Sequence, residues 1–229
     1  MIHNKLIIPY PHLRAAQIFA RSQRSFIDPR YKSEVIIDTD GSIYGISESY
    51  VYRSPKKYAA LFNGKLEYPI CLSLPPAMLP NWVSSVSINL PDDIATMQYT
   101  LMMGHDTLGN PTEDCWSGIA IFRASDDSFY QPIETLEAAK KLIAAHYEGE
   151  QCTGIPNDAG TSISPRMLTA IAEALDLHPS VLPKEYRQLN MRFSGAASPI
   201  KIDLGAIEGV LLTMPASADL IKNEESELE

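Results

Sequence analysis

The stretch SEVIIDTDGSIYGISESYVYR, residues 33–53, decides the fold class. It holds two or three short runs rich in β-branched and aromatic residues, and Asp40-Gly41 stands between the first two. Asp and Gly are the residues that a tight turn between antiparallel strands demands, because Gly enters the left-handed region without a Cβ penalty and Asp bonds its own backbone. The strands are therefore consecutive and turn-linked, which predicts an antiparallel meander. A doubly wound nucleotide fold would alternate strand and helix, and this chain does not.

Upstream, PHLRAAQIFARSQR (11–24) has the pattern of a helix. Pro11 suits its first turn, and Leu13, Ala16, Phe19 and Ala20 recur at helical spacing. The other stripe is Arg14, Gln17, Arg21 and Arg24, with no acid sharing it. Downstream, PKKYAALFNGKLEY (55–68) connects to a second set of strands: PICLSL, VSSVSINL with Val86, Ile88 and Leu90 alternating, MQYTLMM with Met97, Tyr99 and Leu101 on one face, and WSGIAIFRA. Helices are expected at TLEAAKKLIAAHY (135–147) and at PRMLTAIAEALDL (165–177), the latter capped by Ser164. LNMRF, PIKI and GVLLTMP close the chain as strands. The organisation is α+β, a helix followed by a β-meander, repeated about three times with antiparallel sheets. Domains are expected at 1–130 (two units) and 131–215 (a compressed second domain), with an acidic tail over 216–229.

Composition narrows the function. Apolar residues make up 45% of the 229 and charged residues 21%, a globular balance. The apolar stretches break well before the roughly 18 residues that a transmembrane helix needs, and the N-terminus lacks a signal-peptide pattern, so a cytoplasmic protein is expected. Cys71, Cys115 and Cys152 form no CxxC pair and are expected as reduced thiols. The net charge is −9, which does not suit a protein held on DNA by bulk positive charge. Part of it sits in the tail, where Asp219, Glu224, Glu225, Glu227 and Glu229 face a single base, Lys222.

Catalytic patterns are sparse. VIIDTDGSI (35–43) resembles the nucleophile motif of haloacid-dehalogenase-type phosphatases. On that resemblance Asp38 would be the nucleophile, Asp40 the acid–base, and Asp126-Asp127 metal ligands. Ser42 stands where that family carries Thr, and a hairpin turn accounts for the same residues. His105, Asp106, Asp114 and Cys115 crowd one turn-rich stretch at a spacing that matches no common metal site. SPRMLTAIAEALDL sounds like the end of a helix-turn-helix domain, but its polar stripe Arg166, Thr169, Glu173 and Asp176 is net acidic. No phosphate loop, GxSxG or HExxH is present. A binding protein without catalytic chemistry, metal or cofactor is expected.

Two regions carry a family resemblance. Residues 10–54, with RAAQIFARSQ leading through SFIDPRYKSEVIIDTDGSIYGISESYVYRSP, and residues 163–215, with ISPRMLTAIAEAL, LNMRFSGAASPIKI and GVLLTMP, resemble bacterial DNA polymerase III beta-type sliding clamps. The family's ATDGHR-like strand is replaced here by ISESYVYR. Bacterial clamps have three domains of two units each, against about three units here, which suits a shortened phage- or plasmid-like relative. The resemblance implies weak, sequence-independent contact with double-stranded DNA through Arg14, Arg21 and Arg24, with Lys140 and Lys141 as a second pair. It also implies an apolar groove for a short peptide of replication or repair proteins, at Leu212, Met214 and Pro215 with Tyr50, Tyr52 and Leu79. Self-association through edge strands would be needed to close a ring. An accessory protein that binds host replication factors without a ring is the neighbouring alternative.

Overall fold

The computed structural model describes residues 4–20, 34–47, 50–54, 56–64, 66–74, 83–91, 94, 97–124, 132–144, 168–169, 171–173, 190–192, 200–203 and 208–211. The DTDG stretch forms the expected hairpin. β2 (Glu34–Ile37) and β3 (Ile43–Ile46) pair antiparallel with Ile37 opposite Ile43. The Gly41 amide donates to the Asp38 carbonyl at 2.9 Å, and the Ser42 amide donates to the Asp40 carboxylate at 2.8 Å. Gly41 takes φ +84°, and a Cβ there would run into the Ala60 carbonyl. Glycine is thus required twice over, by conformation and by space.

The meander continues through β4 (Tyr50–Arg53), with Gly45 of β3 opposite Tyr52. Before it, β1 (Asn4–Pro9) passes directly into α1 (Tyr10–Ala20). A second strand set follows: β5 (Leu61–Phe62), β6 (Ile70–Ser73), β7 (Ser85–Leu90), β8 (Gln98–His105) and β9 (Pro111–Arg123). Pairing links the sets by exchange. β1 pairs with β7, Ile8 opposite Val86, while β6 pairs with β2, Cys71 opposite Ile36. β1 thus joins the meander of the second set, while β6 bridges β2 of the first set and β9 of its own.

After α2 (Pro132–Ile143), three strands return to the sheet: β10 (Asn190–Arg192), β11 (Ile200–Asp203) and β12 (Glu208–Leu211). β12 pairs with β4, Val210 opposite Val51, so the sheet runs across the expected 130/131 boundary. The described strands form one sheet in the order β10-β11-β12-β4-β3-β2-β6-β9-β8-β7-β1-β5, every pairing antiparallel. The α+β class with antiparallel sheet is as the sequence indicates.

Both sheet faces are covered over β2 and β3, and strand alternation sorts their residues. Val35, Ile37 and Ile43 pack with Leu13, Ala16 and Phe19 of α1, in a core that also takes Leu6, Ile8, Leu72, Val86, Ile88, Met102 and Ile121. Ile171, from a helical stretch described at 168–169 and 171–173, belongs to that same cluster. The described parts of the two segments expected as helices at 11–24 and 165–177 therefore contribute to one core cluster. On the opposite face Ile36, Tyr44, Val51 and Cys71 pack under Leu136, Ala139 and Ile143 of α2. The α1 backbone approaches β3 closely at Gly45, where a Cβ would collide with the Ala16 carbonyl. Among the described residues, no helix is long and apolar enough to cross a membrane.

Candidate interaction surfaces

α1 carries the foremost basic candidate, and its environment differs from a solvated helix face. Only Pro11 and Arg14 of its eleven residues are partly exposed. Gln17, in the middle of the expected basic stripe, is 1% exposed, and the Arg14 guanidinium donates to its Oε1. Burying a side-chain amide is tolerable when it is hydrogen-bonded, as here. The Arg14–Gln17 part of the stripe is thus a largely covered edge. Arg21 and Arg24 lie outside the described residues.

Lys140 and Lys141 do not join Arg14 on one surface, because α2 and α1 pack on opposite faces of the sheet. Lys141 is exposed. Lys140 reaches down to the β2–β3 turn, its Nζ lying 2.7 Å from Asp38 Oδ2 and 3.2 Å from Glu137 Oε1. Burial alone would lower its pKa, but the hydrogen bonds to Asp38 and Glu137 outweigh burial and raise it above 10.5.

A lysine pKa raised on folding stabilises the fold fully below the unfolded value, and that contribution disappears as pH climbs through the folded value. Tyr44, raised above its ordinary 10.0 chiefly by burial, acts in the same direction, since the unfolded chain loses that proton first. Stability should therefore fall above roughly pH 10, as urea unfolding at stepped pH would show. Asp38→Asn should cost about 1 kcal/mol at neutral pH, because Lys140 remains partly in water, and should flatten the alkaline decline. An unchanged alkaline limb in that variant would refute the pairing.

Asp38 itself is 5% exposed, and its Oδ1 accepts the Thr39 amide at 2.8 Å. Asp40 is exposed and accepts from the Ser42 amide. Both carboxylates of the phosphatase-like motif are therefore engaged in turn and ion-pair contacts. Asp126 and Asp127 lie outside the described residues. His105 sits 2.8 Å from Ser87 Oγ through Nε2 and 3.3 Å from the Gly109 carbonyl through Nδ1. Asp106 accepts from the Leu108 and Asn110 amides at 2.8 and 2.9 Å. Those bonds, Asn110's first, hold its carboxyl below the usual range. Asp114 and Cys115 lie on β9, and their side chains are outside the described set. Among the described residues, no group of three or more His, Cys, Asp or Glu could hold a metal ion. Cys71 is buried and is in no disulfide.

The expected peptide groove is described at two positions. Tyr52 is 0% exposed, its ring stacked on Phe19 with centroids 5.5 Å apart and its hydroxyl 2.8 Å from His12 Nδ1. His12 in turn stacks on Tyr58 at 4.3 Å. Tyr52 is a core residue tying α1 to β4, not part of an open surface. Tyr50 lies next to β12, its backbone opposite Leu211, and its side chain is outside the described set. Leu79, Leu212, Met214 and Pro215 also lie outside it.

No family model matches the chain. A search of curated proteins likewise finds no match.

Sequence patterning set Met97, Tyr99 and Leu101 on one face of a strand without showing that this face, on the α2 side of the sheet, is the exposed one. Met97, Tyr99 and Leu101 do share one face, and it points outward, at 55%, 77% and 59% exposure. The signal lay in Met102, whose buried side chain sets the opposite parity for β8.

Proposed function

We propose that this chain is a divergent sliding-clamp-like protein that serves DNA replication or repair by recruiting partners. One observation carries the proposal: β1 of the first strand set pairs with β7 of the second, and β6 of the second set joins its own β9 to β2 of the first. Pairing of that kind would join two units into a single body, an arrangement suited to the wall of a clamp. The sharing of one core cluster by α1 and Ile171 is in keeping with helices on the inner side of such a wall. DNA contact would fall to Arg14 with Arg21 and Arg24, and the partner groove to the end of the chain beside Tyr50.

The burial of Gln17 and most of α1 favours a form that recruits partners without encircling DNA over one that slides as a closed ring. Native mass measurement separates the two: a closed homo-oligomer supports the ring, and a monomer that still binds a clamp-binding peptide supports the recruiting form. A strict monomer that binds neither that peptide nor duplex DNA would overturn both. If the three arginines contact phosphates, DNA affinity should fall with salt at a log–log slope on the order of −3 per protomer. Replacing all three by alanine should remove most of that slope.

A further inference from the structure

We propose that Ser87 is an activated nucleophile, with His105 as its base, that accepts small acyl groups. The two residues are diagonal neighbours across β7 and β8, His105 standing opposite Ser85 and Ser87 opposite Met103. His105 Nε2 is 2.8 Å from Ser87 Oγ, and its Nδ1 is 3.3 Å from the Gly109 carbonyl. A carbonyl oxygen only accepts, so Nδ1 carries the ring proton of the neutral imidazole. Nε2 is left with its lone pair aimed at the Ser87 hydroxyl, which donates to it. A hydroxyl donating to an imidazole that a third group orients is the arrangement of an activated serine.

The third group here is a backbone carbonyl, and Asp106 fixes where it points. Asp106 Oδ1 accepts the Leu108 and Asn110 amides at 2.8 and 2.9 Å. The Asp106 amide donates to the Asn110 carbonyl at 3.0 Å, and the Asp106 carbonyl accepts the Gly109 amide at 3.1 Å. Gly109 takes φ +83°, which lets the turn close. Ser84, just before β7, donates to the His105 carbonyl through its amide at 2.9 Å and its hydroxyl at 3.1 Å, so the histidine backbone is held as well. The crowding of His105 and Asp106 in one stretch, which matches no metal site, is accounted for in this way. Ser87 and His105 are the reacting pair, and Asp106 is a positioning residue.

The pair supplies deprotonation, so it suits an acyl carbon that bears a good leaving group, an activated ester. Ser87 is 5% exposed, and its neighbours across the strands are Ile7 and Met103, which favours a short apolar acyl chain. Ser87 Oγ bonds to the acyl carbon while its proton passes to His105 Nε2. The bond to the leaving oxygen then breaks, that oxygen takes the proton from Nε2, and an O-acyl serine remains. Neither residue has a part in the clamp-like reading, which stands or falls separately.

The probe is p-nitrophenyl acetate, added to the full chain at neutral pH. Release of nitrophenolate should accompany attachment of an acetyl group, which peptide mass mapping should place on Ser87. Ser87→Ala should abolish that label, and His105→Gln should slow it by about a hundredfold, the usual worth of a positioned base. Circular dichroism should show both variants folded. Asp106→Ala should slow labelling in the folded chain, and Asp106→Asn, whose side-chain oxygen can still accept the two amides, should restore it. Acetyl groups found on lysines and none on Ser87 overturn the proposal, a result read on the parent chain without any variant. A Ser87 label that forms as fast in folded His105→Gln overturns it equally.

Discussion

Gly45→Ala is expected to destabilise the protein by about 3 kcal/mol or more, the upper end for overpacking, because the added methyl has nowhere to go. It would fall on the carbonyl oxygen, carbonyl carbon and Cα of Ala16. These are backbone atoms of α1, so relief requires the whole helix to move away from β3. Such a shift would loosen Leu13, Ala16 and Phe19 from Val35, Ile37 and Ile43 at once. Gly45→Val should be worse, since its branches add volume at the same point. Gly118→Ala is the matched control: it also places alanine for glycine in a strand of this sheet, but into open space. There the change should be near neutral, a few tenths of a kcal/mol either way. Urea unfolding of the two variants compares them directly. Equal midpoints would show that α1 does not sit on Gly45.

Tyr52→Ala is expected to cost about 3–5 kcal/mol, as for other large aromatics removed from a core. The fully buried ring stacks on Phe19, and its loss would leave a cavity between α1 and β4. Tyr52→Phe isolates the hydroxyl. Removing the bond to His12 Nδ1 should cost about 1 kcal/mol, with the ring packing intact. The pair of variants also separates two roles for this residue. A tyrosine lining a peptide groove would lose partner affinity and leave the unfolding midpoint in place. A core tyrosine loses stability first, and Tyr52→Phe loses a third or less of what Tyr52→Ala does.

Local chemistry made part of this architecture legible. Asp40-Gly41 gave away the hairpin because turn conformation is decided by a few neighbouring atoms, and Pro11 with the Leu13–Ala16–Phe19–Ala20 spacing marked the helix. The apolar run Val35-Ile36-Ile37 carries a further mark. A strand without polar alternation is one buried on both sides, and it lies between α1 and α2.

What stayed hidden depends on distant chain. Arg14 and Gln17 read as a solvated stripe, since a polar side chain carries no mark of being covered; here the core on the α1 side draws in Ile171, far along the sequence. The Asp38–Lys140 pair joins a turn to a helix that begins beyond β9. The pairing of β1 with β7, and the seat of β12 beside β4, likewise leave no local trace. Tyr52 shows the limit for sites: an apolar aromatic in a strand looks the same whether it fills a core or lines a groove.

The pairing of β1 with β7 and of β2 with β6 also dictates how this protein can come off the ribosome. β1 emerges first, yet its partner β7 ends at Leu90, and β2 must wait for Ile70–Ser73. Until then the nascent chain exposes Leu6, Ile8, Val35 and Ile37 on strands with open edges, the condition under which chains seek the wrong neighbour. Long-range pairing of this kind slows folding, since loop closure must precede any reward. These strands therefore complete their pairing only once residue 90 has been made.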